Sequence, residues 1–283
     1  MNKFPIGILS DSFRLGLRGG LEKAAELGAQ GVQIYAVAGE MAPESMTALK
    51  RRELLKFIKG LGLKVSALCG DPGGYGFAME AGNEARVERS KRIMDLALDL
   101  ECGIVTTHIG VVPEDSGNPR WGVMASACAA LGRYGDAAGA CFAVETGPEP
   151  SARLRRFLDS LGSKGVRVNF DPANLAMIVG EDAASAVRTL GPMIVHTHAK
   201  DGIMLRKTDP EIIYDYFAKG GIGDLRLEGY FREVPLGQGQ VRWPEYLAAL
   251  EEAGYKGFLA IEREAGDDPG RDIAEAMEFL KSL

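Results

Sequence analysis

Residues 141–198 read CFAVETGPEPSARLRRFLDSLGSKGVRVNFDPANLAMIVGEDAASAVRTLGPMIVHTH. Three short apolar runs in this stretch end on residue types that bind metals: FAVE on Glu145, VRVNFD on Asp171 and IVHTH on His198. A fourth run, FLAIE, ends on Glu262. Successive endings lie 26, 27 and 64 residues apart. A β-strand with its crossover helix takes about 30 residues. The pattern reads as four consecutive βα units, each bringing one Glu, Asp or His to the carboxyl end of a parallel strand. In a (β/α)8 barrel those ends share one mouth, where such folds place their chemistry.

The same alternation runs outward along the chain. Strand-like runs are expected over residues 5–9, 31–37, 64–68, 104–107, 142–144, 166–170, 193–197 and 258–261. Between them apolar residues recur at helical spacing, as in Leu54, Phe57, Ile58 and Leu61, in Ile93, Leu96, Ala97 and Leu100, in Trp243, Tyr246, Leu247 and Leu250, and in Ile273, Ala276, Met277 and Leu280. Each stripe reads as a helix face packed on a sheet. Pro148 and Pro150 suit a helix start after the fifth strand, and Pro244 suits the first turn of a later helix. Strict βα alternation implies a parallel sheet, and eight repeats favour closure. The expected fold is α/β, a (β/α)8 TIM barrel filling residues 1–283 as a single domain.

Period-two geometry aims the four residues at one place. Ala143 and Glu145 share a parity, as do Asn169 and Asp171, His196 and His198, and Ala260 and Glu262. The intervening Val144, Phe170, Thr197 and Ile261 would face the helices. Residues 201–240 break the rhythm and follow the seventh strand. So long a connection in a compact domain is usually functional or disordered; a lid over the mouth and a subunit contact, hence a homo-oligomer, are the two readings. The glycines Gly220, Gly221 and Gly223 lack the strand–loop–helix setting of a phosphate loop and read as lid.

Composition narrows the classes. The chain has 283 residues, 46% of them hydrophobic, a net charge of −6 and a pI near 5.3. An acidic balance argues against nucleic acid or an anionic membrane as the main partner. No apolar run approaches the ~18–20 residues that span a bilayer. The first residues, MNKFPIGILSDSF, make a poor signal peptide, because the apolar run is short and Asp11 follows at once. The four cysteines show no CxxC spacing and read as thiols of a reducing, cytoplasmic compartment, with Cys69 at a strand end.

A single Glu at a strand end is ordinarily rim, and a lone Asp after a strand is ordinarily a helix cap. Four residues of ligand type on four strands with one parity point instead to a divalent-metal site made of Glu145, Asp171, His198 and Glu262. Three carboxylates and one imidazole are oxygen-rich and suit octahedral Mn²⁺ best, then Mg²⁺ or Co²⁺, with Zn²⁺ also accommodated. Two open positions would take adjacent oxygens of an α-hydroxyketone. The metal would acidify the C–H beside the carbonyl, and a carboxylate would remove the proton to give an enediolate. Glu145 and Glu262, on either side of the Asp171–His198 pair, suit one base on each face of a substrate.

VETG at 144–147, NFDPAN at 169–174, HTHAKD at 196–201 and PLGQGQVRWPEYLAALEEAGYKGFLAIERE at 235–264 resemble the sugar-phosphate isomerase/epimerase superfamily. These are the xylose isomerase-like barrels that include ketose 3-epimerases, inosose dehydratases and hydroxypyruvate isomerases. The resemblance covers nearly the whole chain and is strongest beyond residue 140. It implies metal binding by Glu145, Asp171, His198 and Glu262, with the two Glu residues as the acid/base pair. Three positions depart. Asn174 stands where ketose 3-epimerases have a His three residues after the metal Asp, Ser151 where they carry a Glu, and Gln33 where relatives often carry Glu. The groups that orient substrate therefore differ.

Further candidates for binding substrate are His108, which ends the fourth strand, Lys200, which continues the inward parity and would neutralise an enediolate or pair with Asp201, and Asn174. His196 lies one inward step below His198 and reads as substrate-binding or as support for the ligands. Arg263 and Glu264 are weaker. The implied activity is a metal-dependent isomerase or epimerase of a sugar or keto-sugar, phosphorylated or not. The alternative is a lyase acting on a keto-inositol or 3-keto-glycoside through the same enediolate. Endonuclease IV-type repair enzymes share the barrel but use a histidine-rich trinuclear zinc cluster. Three histidines in all argue against that class.

Overall fold

The computed structural model describes residues 3–283. Seven strands come first: β1 (Ile6–Leu9), β2 (Gly31–Tyr35), β3 (Lys64–Cys69), β4 (Ile104–Thr107), β5 (Cys141–Glu145), β6 (Val166–Phe170) and β7 (Ile194–Ala199). A short pair, β8 (Asp201–Met204) and β9 (Phe231–Val234), follows, and then β10 (Leu259–Ile261). Hydrogen bonds close a barrel in the order β1-β10-β7-β6-β5-β4-β3-β2, with every neighbouring pair parallel. The eight barrel strands are the eight expected ones, so the fold is a (β/α)8 barrel.

The strand ends differ from the expected ones by a residue or two, for local reasons. β2 stops at Tyr35, whose N–H turns aside to Asp11 Oδ2 at 3.1 Å. β7 runs on to Ala199 because its ladder to β10 continues through His198↔Ala260 and Ala199↔Ile261.

Side-chain alternation sorts the barrel as the sequence implies. Val144, Phe170 and Ile261 join the apolar layer between strands and helices. The helical stripes meet them there: Leu54 and Ile58, Ile93 to Leu100, Trp243 to Leu250 and Ile273 to Leu280 are buried, with Phe57 and Leu61 at the margin. Thr197 is the polar member of the outward set. Its hydroxyl donates to Phe170 O at 2.7 Å and also bonds the Tyr246 hydroxyl, so its own oxygen is satisfied. Ala143, Asn169, His196 and Ala260 occupy the alternate positions and are essentially inaccessible. Two helices start at the expected prolines: Pro150 immediately precedes the helix Ser151–Leu161, and Pro244 lies in the first turn of Trp243–Glu252.

Residues 201–234 form a structured insertion. β8 and β9 pair antiparallel from Asp201↔Val234 to Met204↔Phe231, and the helix Pro210–Lys219 lies between them in sequence. The root of the insertion is fastened by Asp201. Its Oδ1 accepts from the Gly202 and Val241 N–H groups at 2.9 and 3.1 Å, and its Oδ2 from Gly237 N and Trp243 Nε1, each at 3.0 Å. Arg120, on the helix Pro119–Ala138, pairs with Glu211 of the insertion helix through two hydrogen bonds. Among the described residues no helix is long and apolar enough to cross a membrane.

Candidate metal centre

Glu145 ends β5, Asp171 follows β6, His198 lies near the end of β7 and Glu262 follows β10. All four are buried, and one ligand atom from each falls within 4.8 Å of the others. His198 Nδ1 lies 3.1 Å from Glu262 Oε2, 3.5 Å from Asp171 Oδ2 and 3.6 Å from Glu145 Oε1.

Each side chain is held by its other atoms. Asp171 is a helix cap after all: Oδ1 accepts from Ala173 N at 2.8 Å and Asn174 N at 3.0 Å. Its Oδ2 is left over. His198 Nε2 lies 3.0 Å from Gln33 Oε1, an atom that only accepts, so Nε2 carries the proton and Nδ1 faces the carboxylates. Gln33 is fixed in turn by donating to Thr106 Oγ1 at 2.9 Å. Asn169 Nδ2 donates to Glu145 Oε2 at 3.0 Å and Asn174 Nδ2 to Glu145 Oε1 at 3.1 Å. Gly147, at φ +143°, lets the loop after β5 pass Asn174 closely, since a Cβ there would sit 2.5 Å from that of Asn174.

Among the described residues, two buried side-chain polar atoms have no hydrogen-bond partner. They are Asp171 Oδ2 and His198 Nδ1, which face one another. An unpaired buried polar atom costs about 1–3 kcal/mol. Two of them converging with two more carboxylates match the donor set of a divalent cation. The residues present therefore fit a metal ion at this position.

The electrostatics are those of a cation site. Burial works against charge on His198, yet Glu262 and Glu145 outweigh it and hold its pKa well above the usual range. Burial likewise opposes ionisation of Glu262, and His198 and Lys200 overcome it, pulling that carboxyl far below its usual range. Lys200 Nζ, in a buried side chain, donates to Glu262 Oε2 at 3.0 Å and to Glu264 Oε2, with Glu233 Oε2 3.8 Å away. Despite burial, these carboxylates hold it firmly as an ammonium.

Above the cluster lies a cavity of about 330 Å³, open between the strand ends and the insertion. His108 reaches into it from the end of β4. Its Nδ1 lies 2.7 Å from Asp71 Oδ2 and its Nε2 3.5 Å from Glu145 Oε1. Burial opposes its charging, but Glu145 and Asp71 raise its pKa to about 10. A cation on Glu145 would offset part of that pull.

Residues 21–283 match the family described as Xylose isomerase-like TIM barrel. The chain belongs to the xylose isomerase-like TIM barrel family. A similar solved structure is the xylose isomerase domain protein from Planctomyces limnophilus. It is 26% identical, with 99% of this chain and 96% of that one covered and a TM-score of 0.80. The probable 3-DHS dehydratase AsbF from Bacillus anthracis shares 17% identity over 98% and 99% of the two chains at a TM-score of 0.75. D-psicose 3-epimerase shares 16% over 99% of each at 0.71. At those identities the last two show the fold. No curated protein matches the chain significantly.

Within this xylose isomerase-like barrel, the sequence-derived candidates sort by depth. Glu145, His198, Glu262, His108, Lys200, Asn174, Gln33, Cys69 and Glu264 line the cavity or its floor. His196 does not. It is sealed beneath the floor, with Nδ1 2.9 Å from Asn169 Oδ1 and Nε2 3.2 Å from Ser66 Oγ. Assignment to substrate is therefore corrected: His196 orients Asn169, which holds Glu145. The pairing of Lys200 with Asp201 is also corrected, because Asp201 turns to the root of the insertion while Lys200 faces Glu262 and Glu264. Ser151 turns away to Glu181. Arg263 is buried between Glu233 and Asp272.

Three acidic residues had escaped sequence reading. Asp71, in the loop GDPGG directly after β3, carried a usable signal, a carboxylate at a strand end. Glu233 carried none, since its partners Arg263 and Lys200 are about 30 residues away in sequence. Glu149 is buried, accepts from Val112 N at 2.9 Å, and is pushed by burial up to about 8.

Proposed function

We propose that the protein is a divalent-metal-dependent isomerase or epimerase of a sugar or keto-sugar. The observation that carries this reading is the facing pair of unpartnered atoms, Asp171 Oδ2 and His198 Nδ1, set between two glutamates. A divalent cation held by Glu145, Asp171, His198 and Glu262, with Mn²⁺ or Mg²⁺ suited to the oxygen-rich set, would polarise a carbonyl and acidify the adjoining C–H.

The chain's own residues then move the proton. In barrel order Glu145 and Glu262 flank Asp171 and His198. One carboxylate takes the proton from the carbon beside the carbonyl, and the other returns it from the opposite side, inverting that centre. Return to the neighbouring carbon would exchange ketose and aldose. Asn169 and Asn174 fix both oxygens of Glu145, and Lys200 fixes Glu262 and keeps it ionised. The structural likeness to sugar 3-epimerases supports the class.

A specific observation favours a second reading, a lyase. Departure of a hydroxyl or aglycone needs one more placed proton donor, and His108, oriented by Asp71, directs Nε2 toward Glu145. The likeness to a probable dehydratase accords with it.

The test is proton exchange in D₂O by the Mg²⁺-loaded protein, read by NMR spectroscopy, over ketoses, inososes and 3-keto-glycosides. Deuterium beside the carbonyl together with a new epimer or isomer is the expected result. Loss of water or aglycone would move the answer to the lyase. No exchange with any member, in protein holding metal, would overturn both.

A further inference from the structure

The cavity joins a polar set of side chains to an apolar one. Its floor carries the carboxylates, His198, His108 and Lys200. Its upper wall is apolar: Met177 and Ile178 from the segment after β6, Ile213, Tyr214 and Phe217 from the insertion helix, and Phe231 from β9. Phe217 lines the cavity yet is 64% exposed, so a large apolar ring at the opening is left for something to cover.

Charge narrows what that is. Among the described residues no arginine lines the cavity. Its basic groups outside the proposed ligand set, Lys200 and His108, are already paired. Lys200 is held by Glu262 and Glu264 with Glu233 close by, and His108 by Asp71 with Glu145 close by. A phosphate group is bound where cations or N–H groups stand ready for it. Here it would meet an excess of carboxylates.

We propose that the substrate is an uncharged keto-sugar carrying an apolar substituent, with the α-hydroxyketone at the floor and the substituent against Phe217, Phe231 and the Met177–Ile178 segment. This rests on the reading of the floor as a keto-sugar site. A free sugar presents hydroxyls along every edge. Each one pressed against the upper wall would give up water for no partner, at roughly 1–3 kcal/mol. An aryl or alkyl group in that place buries apolar surface on both sides. A cavity of about 330 Å³ stands at the lower end of the ~300–1,000 Å³ typical of sites for drug-sized ligands. The substituent also fixes where the carbonyl lies. A glycoside has its anomeric carbon blocked, so its ketone must sit at another ring carbon flanked by a hydroxyl.

The experiment is calorimetric titration of the Mg²⁺-loaded protein with methyl and phenyl 3-keto-β-D-glucopyranoside, and with fructose and fructose 6-phosphate. Wild type is compared with Phe217→Ser and Phe231→Ser. The first of these replaces an exposed ring, so the fold is retained. The phenyl glycoside should bind at least ten-fold tighter than the methyl glycoside. Either substitution should cut that preference at least three-fold, and the phosphate should bind no tighter than fructose. Methyl and phenyl compounds binding within two-fold of each other, or a tighter sugar phosphate, would overturn the proposal. Deuterium exchange on the same glycosides separates it from the reading beneath. Exchange on both with equal binding leaves the enzymatic reading standing and removes this inference. A phenyl preference with no exchange on these glycosides or on any ketose or inosose supports this ligand class and removes the enzymatic reading.

Discussion

Asp171 and His198 each divide their polar atoms between scaffold and site. One oxygen of Asp171 caps a turn and one nitrogen of His198 meets Gln33, so the remaining atoms are aimed without freedom to turn away. Removing either should empty the site. His198→Ala is expected to lose most of its bound metal after dialysis, measured by atomic emission, whereas His108→Ala should keep its metal and lose turnover. Metal retained in His198→Ala would take that residue out of the coordination sphere. Glu145→Gln and Glu262→Gln should each lower turnover by ~10²–10⁴, the usual worth of a placed general base, with an unchanged far-UV circular dichroism spectrum. Exchange of substrate protons at the wild-type rate in either variant would remove it as a base. The clustered Glu145, Asp171, His198 and Glu262 were readable because parity and strand ends are local properties. The depth of His196 was not, because the same parity serves a ligand and a residue one layer below it. Only the packing of Asn169 and Ser66 around the ring decides between them.

The insertion behaves as an element apart from the barrel. Between residues 205 and 230, only Ile213 and Leu227 are buried among the described residues. Elements with so little buried surface open at low free-energy cost. Arg120–Glu211 ties the insertion helix to the barrel wall, and such an exposed pair contributes about 0–1 kcal/mol. Arg120→Ala should therefore shift the melting temperature by no more than about 2–4 °C. Cleavage between residues 205 and 230 in limited proteolysis should quicken several-fold. An unaltered cleavage rate would show that the pair does not hold the helix. The barrel strands were visible from sequence as apolar runs with fixed spacing. The hairpin was not, since DGIM and FREV are short and half polar, and their pairing joins residues about 30 apart. Lys200 was recognised as inward-facing, but its carboxylate partners come from the insertion and from beyond β10, which no local pattern reports.

At the scale of the whole molecule, two buried acids set how stability answers to conditions. Glu149 has its pKa raised from 4.5 to about 8 in the fold. The folded state holds that proton more tightly than the unfolded chain does. Its contribution is fully present below pH 4.5, declines as pH rises, and is gone above about 8. At ~1.36 kcal/mol per unit, the loss is a few kcal/mol. Glu149→Gln should melt progressively higher than wild type as pH is raised from 5 to 8. An offset that does not change with pH would show that Glu149 is ionised in the fold throughout. Asp171 ties stability to metal instead, through its unpaired oxygen. Mn²⁺ or Mg²⁺ should raise the melting temperature and chelator should lower it, with ~2.7 kcal/mol gained at a hundred times the dissociation constant. A melting temperature indifferent to both ions would count against the site.

The clamp at Asp201 separates two jobs along the backbone. Lys200 turns to Glu262 at the strand ends, and the next residue anchors everything from 202 to 243. Met204 and Phe231 are directly paired, so the chain leaves and rejoins the hairpin at a single rung. That rung is a natural splice point. A loop of another length or sequence, joined across it, would inherit the barrel and its four clustered strand-end residues intact while presenting a different wall to incoming molecules. Exchange of the 205–230 segment is thus a route by which one cavity could be re-addressed to new compounds, in the laboratory or over evolutionary time.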